Sequence, residues 1–361
     1  MGTIIPRQRK DGSTAYQAQI VVKRSGEIVH REQMTFDRRN AAVVWLEQRE
    51  KALAVPGALE AARAPDPTLG EVIDRYVRES RREIGRTKAQ VLNTIKGFPI
   101  AQKRCSQVTS PVIVEFAQAK LATGIQPQTM ANYISHLAAI FTVAQPAWGY
   151  RLDKGAMDAA HVVLRRMGLT SRGRMRSRRP TLDEIDALMK HFGEVRRRRP
   201  SSADMQVVIA FALFSTRRLE EITRIAWEDL DEEGSRILVR DLKHPGEKIG
   251  NDVWCDLPGP ALALVLSMPR GRGPIFPYST DAIGAAFARA CLFLTIEDLH
   301  FHDLRHEGVS RLFEMGKNIP HVAAVSGHRA WTSLKRYTHL RQVGDKWAGW
   351  PWLSRLTSAR S

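Results

Sequence analysis

Five polar residues in the C-terminal half of the chain have side chains that can hold and attack a phosphodiester. They stand in the strings FSTRRLEEITRIAWEDLD, HFHDLRHEGVSRLFEMG and AVSGHRAWTSLKRYTHL, and they are Arg218, His302, Arg305, His328 and Tyr337. Arginine forks bind phosphate oxygens, histidine exchanges protons near neutral pH, and a tyrosine hydroxyl can serve as a nucleophile. The set therefore predicts chemistry on a phosphodiester that needs no metal.

Each of the two arginines has a polar partner three residues away in the sequence. Arg218 and Glu221 fall on one face of a predicted helix, so the carboxylate can orient the guanidinium group. Taken alone, this pair is more typical of a surface ion pair. His302 and Arg305 repeat the spacing, and here a group that titrates near neutral pH lies beside a permanent cation.

The string HDLRH also nearly matches the zinc-protease pattern HExxH. Asp303 replaces the glutamate, Arg305 would lie beside the dication, and no spaced third ligand follows. A zinc site is therefore disfavoured. His306 is interpreted as a structural residue or an outer contact.

Tyrosine is a poor nucleophile at its ordinary pKa of about 10, so Tyr337 needs a nearby base or strong cations. A lone tyrosine in KRYTHL would usually pack or lie at the surface. The order of arginines and histidines before it favours the nucleophile instead.

These motifs resemble the tyrosine recombinases, the phage integrase family of site-specific DNA recombinases. STRRLEEI resembles the first arginine box, with Arg218 as the catalytic arginine and Glu221 as its acidic companion. Alignment of Arg217 to this position is an alternative, but the spacing to Glu221 favours Arg218. HDLRH matches the H-x-x-R box and carries His302 and Arg305.

The final box, SGHRAWTSLKRYTH, makes His328 the second histidine and Tyr337 the nucleophile in this resemblance. The catalytic lysine of the family lies on a β-hairpin, which LVRDLKHPGEKIGNDVWCDLP fits. Lys243 is the best match and would donate a proton to the 5′-oxygen. Lys248, past the turn, is the alternative.

The resemblance implies a mechanism in which Tyr337 forms a 3′-phosphotyrosyl intermediate and leaves a free 5′-hydroxyl. Arg218, Arg305 and His328 would stabilise the added negative charge, and His302 would help proton transfer at Tyr337. No metal or organic cofactor is required. The partners implied are double-stranded DNA with core and arm sites, a homo-tetramer on that DNA, and accessory DNA-bending or directionality factors.

Composition agrees with a nucleic-acid partner. The 361 residues include 55 Lys and Arg against 38 Asp and Glu, which gives a net charge of +17. The three cysteines have no ligand spacing and indicate a reducing compartment. Without an apolar span or a secretory signal, the sequence favours a soluble protein of the bacterial cytoplasm and nucleoid that has no membrane partner.

The elements that must position these residues form a multidomain, mainly α fold with α+β parts. Residues 1–55 predict a small three-stranded sheet with one helix, similar to the arm-site-binding domain of some phage integrases. DNA binding is favoured for this domain, and a protein-interaction module is the alternative. A linker over 56–67 and a four-helix core-binding domain over 68–168 follow.

Residues 169–180 form a basic linker, predicted to bind the DNA backbone because a run of like charges repels itself until phosphates neutralise it. Its five arginines are Arg172, Arg174, Arg176, Arg178 and Arg179. The catalytic domain spans 181–342 and is mostly helical with a β-hairpin or small sheet. The tail 343–361 has three tryptophans, which either dock into a neighbouring protomer or pack on their own domain.

Other functions remain open. The string IEDLHFHDLRHE is similar to DNA invertases of the same family, so inversion is an alternative to integration or excision of a phage or mobile element. A topoisomerase-like nicking-closing enzyme shares the catalytic set, but the separate arm-like domain argues against it. A catalytically silent DNA-binding regulator is disfavoured because every expected catalytic position is filled.

Overall fold

The computed structural model describes residues 2–9, 11–55, 57–81, 83–173, 176–242 and 250–358, with the side chains of 61–63 left aside. The chain divides into two compact units, Met1–Arg174 and Met175–Ser361. As predicted, the described residues are mainly helical, with two small three-stranded antiparallel sheets. None of the described helices is long and apolar enough to cross a membrane.

The first unit begins with an antiparallel sheet in the order β1-β2-β3, formed by Gly2–Gln8, Thr14–Arg24 and Glu27–Phe36. Alternate residues of β2, including Ala18 and Ile20, are buried against Ala42 and Leu46 of the first helix. That helix, α1, covers Arg39–Ala54. A short helix, α2, covers Ala58–Arg63 and lies in the stretch predicted as a linker.

The rest of the first unit is helical and has its own apolar core. Its helices are α3 Leu69–Glu79, α4 Arg86–Lys96, α5 Ser110–Leu121, α6 Pro127–Trp148 and α7 Lys154–Arg166. The sequence predicted four helices, and α7 is the fifth. Asp153 caps it, because its carboxylate accepts from the backbone N–H groups of Gly155 and Ala156.

The second unit is built around α9, whose residues are buried on every side. Its first helices are α8 Leu182–Arg198, α9 Met205–Ser215 and α10 Leu219–Ile222. An antiparallel sheet follows in the order β4-β5-β6, formed by Leu230–Asp231, Arg236–Val239 and Val253–Asp256. The remaining helices are α11 Gly259–Leu266, α12 Thr280–Phe293, α13 Phe301–Glu314, α14 Ile319–Ser326 and α15 Pro351–Ser358.

A close approach fixes helix α13 against α9. A Cβ atom added at Gly308 would lie 2.2 Å from the carbonyl oxygen of Leu213, a distance that no side chain tolerates. Glycine at this position therefore lets the two helices touch. The consequence is that the polar residues of the first turns of α13 reach the loop that follows α9.

Candidate active site

The loop after α9 positions the first arginine pair. Thr216 ends α9 in the left-handed conformation, at φ 59°, and its hydroxyl is buried with no partner among the described residues. The chain turns there, and Arg218 begins α10. Its guanidinium NH1 donates to Glu221 Oε1 at 2.7 Å, and its backbone N–H donates to Glu221 Oε2 at 3.1 Å.

Adjacent arginines in this loop have different surroundings. The side chain of Arg217 is fully buried, and its guanidinium group donates to the carbonyl oxygens of Ser215 and Val325 and contacts the Cys255 sulfur at 3.0 Å. The side chain of Arg218 keeps 27% of its surface exposed. Arg218 is therefore the one of the two that a ligand can reach.

Arg305 is buried in the second unit, and its guanidinium group bridges the loop after α9 and the end of α14. Its NH1 donates to the Thr216 carbonyl oxygen at 2.6 Å, and its NH2 donates to the Ser326 carbonyl oxygen at 3.0 Å. The same NH2 lies 3.2 Å from His328 Nε2. Glu221 Oε2 is 3.9 Å from NH1, so the two predicted arginine boxes meet at one carboxylate.

His328 is held by the turn that ends α14. Gly327 takes a φ of 70°, which glycine adopts without strain, and a Cβ there would also lie only 3.1–3.3 Å from Leu242, Cys255 and Arg217. His328 Nδ1 lies 2.7 Å from the Ser326 hydroxyl, which itself donates to the Val322 carbonyl. This chain of hydrogen bonds holds the ring with both nitrogens close to Arg305, Nδ1 at 3.3 Å and Nε2 at 3.2 Å.

Tyr337 lies in the short 3-10 helix Lys335–Tyr337 and is only 7% exposed. Its ring stacks on Phe313 with the centroids 6.0 Å apart. Its hydroxyl oxygen is 2.6 Å from Nδ1 of His306. From the sequence alone, His306 is interpreted as a structural residue or an outer contact. Its position one helical turn after His302 was a signal that it could lie near the same site.

His302 stands on the first turn of α13, where one side of the residue is open to solvent and the neighbouring groups desolvate part of the ring. Its ring meets the ring of His306 edge to face, with centroids 5.0 Å apart. The predicted residues thus form two groups, each anchored by residues of α13. Arg218 and Arg305 contact Glu221, and His328 contacts Arg305. In the second group, the ring of His306 lies between His302 and Tyr337.

The site has a surplus of positive charge. Glu221 is buried, which opposes ionisation, but the guanidinium groups of Arg217, Arg305 and Arg218 outweigh burial and lower its pKa. Burial, aided by Arg218 and Arg217, lowers the pKa of Arg305 to about 9. The same three arginines share this one carboxylate, at 3.6, 2.7 and 3.9 Å from Arg217, Arg218 and Arg305.

The histidines and the tyrosine are neutral near pH 7 for related reasons. Burial and then Arg305 and Arg218 lower the pKa of His328 to about 3 and also lower the pKa of His302. Burial raises the pKa of Tyr337, although Arg336 and Arg305 oppose the rise. An anion bound here would meet guanidinium donors and would relieve their mutual repulsion.

The two strands of the hairpin predicted to hold the catalytic lysine are β5 and β6. Strands β5 and β6 pair from Arg236↔Asp256 to Val239↔Val253, and the Leu242 N–H donates to the Asn251 carbonyl at 2.8 Å. Lys243 and Lys248 themselves lie outside the described residues. Their proposed role as proton donor stays a prediction.

The basic segment before α8 is neutralised by carboxylates of its own unit. Arg176 pairs with Asp298 and with the buried Asp303, both at 2.9 Å. Arg178 pairs with Glu184. Arg179 pairs with Glu307 and Glu314, and the side chain of Glu307 is fully buried. Phosphates are therefore not needed to neutralise these three arginines. Arg174 lies outside the described residues, and Arg172 is exposed in the first unit.

The tryptophans of the tail pack on their own unit, which is one of the two alternatives. Trp347 is 2% exposed and donates its indole N–H to Glu307, and Trp350 donates to Asp186, both at 2.9 Å. Docking into a neighbouring protomer stays a prediction. Among the described residues, no group of three or more His, Cys, Asp or Glu side chains could hold a metal ion.

Comparisons with known proteins agree with this site. The sequence profile of the phage integrase family matches residues 272–343, which include His302, Arg305, His328 and Tyr337. A shufflon-specific DNA recombinase of Escherichia coli is 33% identical over 278 residues, which is 74% of this chain. The chain spans 65% of the length of that relative.

Two solved structures share the fold. One is the Tn1549 transposon integrase in complex with a circular intermediate DNA, with a TM-score of 0.58 and 15% identity over 75% of this chain and 94% of that one. The other is a lambda integrase dimer bound to a COC′ core site, with a TM-score of 0.57 and 19% identity over 95% and 96%. The fold and the order of the motifs are those of the tyrosine recombinases. Residues 272–343 form a phage integrase family domain.

Proposed function

We propose that this protein is a site-specific DNA recombinase that cleaves and rejoins DNA through a phosphotyrosyl intermediate on Tyr337. One observation carries the proposal: among the described residues, three guanidinium groups share the carboxylate of Glu221, in the unit that also buries Tyr337. Such a surplus of fixed donors stabilises charge that develops on a phosphodiester during attack.

The chemical step assigns each group a role. The Tyr337 oxygen attacks phosphorus, and the P–O5′ bond breaks. Arg218 and Arg305 donate to the non-bridging oxygens, with His328 beside them at 3.2 Å from Arg305. Lys243 protonates the leaving 5′-oxygen, with Lys248 as the alternative donor. The phosphotyrosyl bond keeps the energy needed for a second 5′-hydroxyl to rejoin the strand.

DNA binding outside the site is proposed for two surfaces of the first unit. Gln19 and the exposed Gln33 lie on the face of the N-terminal sheet opposite α1, with the buried Gln17 donating to Gln33, and glutamine can read adenine in the major groove. Arg172 lines a cavity together with Arg165 and His161, where a backbone phosphate would find two guanidinium groups. A tetramer on DNA, as in the Holliday-junction complex of lambda integrase, is the assembly we propose.

The biological outcome has two candidates. Integration or excision of a phage or mobile element is the first. Inversion of a DNA segment is the second, supported by the string IEDLHFHDLRHE and compatible with the name of the Escherichia coli relative. Two-site plasmids with the sites in direct or inverted order separate these outcomes, and relaxation without exchange of partners would indicate a nicking-closing enzyme.

The test first selects the DNA sequence that the protein binds from a random-sequence pool. That sequence is then prepared as a nicked duplex, which serves as the cleavage substrate. Wild-type protein is expected to form a covalent DNA adduct without added metal, and Tyr337→Phe is expected to bind the same DNA and form none. Tyr278→Phe is the matched control and should keep the adduct. An undiminished adduct with Tyr337→Phe would overturn the proposal.

A further inference from the structure

The hydroxyl of Tyr337 is in contact with His306, a residue to which the family motif gives no role in this chain. The oxygen lies 2.6 Å from His306 Nδ1, and the two rings are 6.3 Å apart between centroids. Stacking on Phe313 and burial to 7% exposure hold the phenol in place. The contact is therefore part of a packed structure.

His302, which the motif assigns to proton transfer at Tyr337, is one helical turn further from the hydroxyl. It meets His306 through ring edges at 5.0 Å, so His306 stands between His302 and Tyr337. Both histidines project from the same face of α13 because they are four residues apart. The nearer one is the group that can receive the phenolic proton.

The ring of His306 is neutral at physiological pH. Burial, then His302 and Arg336, lower its pKa to about 4. A neutral imidazole with its proton on Nε2 offers a lone pair at Nδ1, which is the atom that faces the hydroxyl. The titratable and charged groups around it are His302, Arg305 and Asp303 on α13 and Arg336 beside the tyrosine.

We propose that His306 is the catalytic base for Tyr337: it orients the hydroxyl and takes its proton during attack on DNA. This inference rests on the proposed function, because it deepens the chemistry of the same site. The Tyr337 O–H bond breaks, and the proton goes to His306 Nδ1. The phenolic oxygen bonds phosphorus, and the 5′-oxygen leaves with its bonding pair and receives a proton from the general acid.

The approach of DNA favours this transfer. A phosphodiester anion next to the site offsets the cations that disfavour imidazolium, so it raises the proton affinity of His306 when the base is needed. Rejoining reverses the path: His306 returns its proton to the phenolic oxygen as the incoming 5′-hydroxyl attacks. His302, against the other edge of the ring, then acts through His306.

The experiment measures the single-turnover rate of adduct formation on the nicked, selected duplex at several pH values. His306→Phe is expected to slow cleavage by about 10²–10⁴-fold near pH 7, with DNA binding unchanged. The deficit should shrink as the pH rises towards the phenol pKa, because phenolate needs no base. His306→Asn keeps a hydrogen-bond acceptor without a useful base and should remain slow. The exposed His321→Asn is the matched control.

A second measurement needs neither DNA nor a variant of His306. In protein labelled with ¹⁵N-histidine, the His306 ring should give neutral shifts with its proton on Nε2, and Tyr337→Phe should move the Nδ1 resonance. A wild-type rate for His306→Phe, a loss that is constant across pH, or an Nδ1 signal indifferent to Tyr337→Phe would each overturn this inference. Absence of any adduct on Tyr337 would instead overturn the proposed function.

Discussion

Two arginine-rich regions of the second unit use the residue in opposite ways. In the segment before α8, Arg176 and Arg179 each pair with two carboxylates, which raises the pKa of both guanidinium groups. Around Glu221, three guanidinium groups share one carboxylate, and the pKa of Arg305 falls to about 9. Charge is matched in the first region and left in surplus in the second.

The difference shows how to separate structural from catalytic arginines. Matched pairs that include a buried carboxylate, such as Glu307, hold the fold together because removing the cation would leave an unpaired buried charge. A surplus of cations costs stability until an anion arrives. In the proposed function, a phosphodiester would complete the second region, as the carboxylates of Glu307 and Glu314 complete the pairing of Arg179.

The largest expected effect is on chemistry in the surplus region. Arg305→Met and Arg218→Met should each lower the rate of adduct formation by about 10²–10³-fold, because each removes donors to the developing charge. Single-turnover cleavage of the selected nicked duplex measures this. Arg236→Met, a surface arginine paired with Asp231, is the control and should keep the wild-type rate. Near-normal cleavage by Arg305→Met would contradict the catalytic role of the arginines around Glu221.

The next effect is on stability in the matched region. Arg179→Met should lower the free energy of unfolding by about 3 kcal/mol, the low end for breaking a buried pair, since Lys346 still contacts Glu307. Arg218→Met, whose side chain is partly exposed, should change it by less than about 1 kcal/mol. Urea unfolding followed by tryptophan fluorescence compares them. Equal losses for the two variants would contradict the distinction.

Burial of His328, together with Arg305 and Arg218 beside it, also predicts a pH dependence. The pKa of His328 is lowered to about 3, so between about pH 6.5 and 3 the unfolded chain binds a proton that the folded protein refuses. This contribution to stability is present above pH 6.5 and is lost as the pH falls. His328→Asn should therefore lose less stability on acidification than wild type. If the melting temperatures of the two proteins fell in parallel with pH, the result would contradict the lowered pKa of His328.

The smallest effect concerns the turn that presents Arg218. Thr216→Gly should raise the free energy of unfolding by roughly 1 kcal/mol, because it removes a left-handed non-glycine residue and a buried hydroxyl that has no partner among the described residues. Thr216→Ala keeps the backbone cost and separates the two contributions. Thermal unfolding measures both variants. A destabilised glycine variant would mean that the threonine methyl group contributes more than the strain costs.

Much of the architecture could be predicted from local signals. The capping boxes at Thr68 and Thr181 begin α3 and α8 as expected, and the alternating strands of the first sheet pair in sequence order. Helix α7 was missed, although Asp153 carried a capping signal. The three-residue spacing correctly placed His302 and Arg305 on neighbouring turns of α13, because spacing on a helix is a local property.

Contacts over long sequence distances could not be predicted. Sequence reasoning expected phosphates to neutralise the basic segment, because nothing local shows that Glu307 and Glu314 lie beside Arg179, more than 100 residues away. The same holds for His306, whose partner Tyr337 is 31 residues further along. The choice between Arg217 and Arg218 depended on which guanidinium group the fold buries.

The central claim is that Tyr337 takes the DNA strand in this cationic site. The most direct measurement is mass spectrometry of the adduct after nuclease and trypsin digestion, since cleavage after Arg336 and Arg341 releases the peptide YTHLR. We predict a nucleotide joined through its 3′-phosphate to Tyr337 in that peptide. A nucleotide on any other residue, or a 5′-phosphate linkage, would contradict the account.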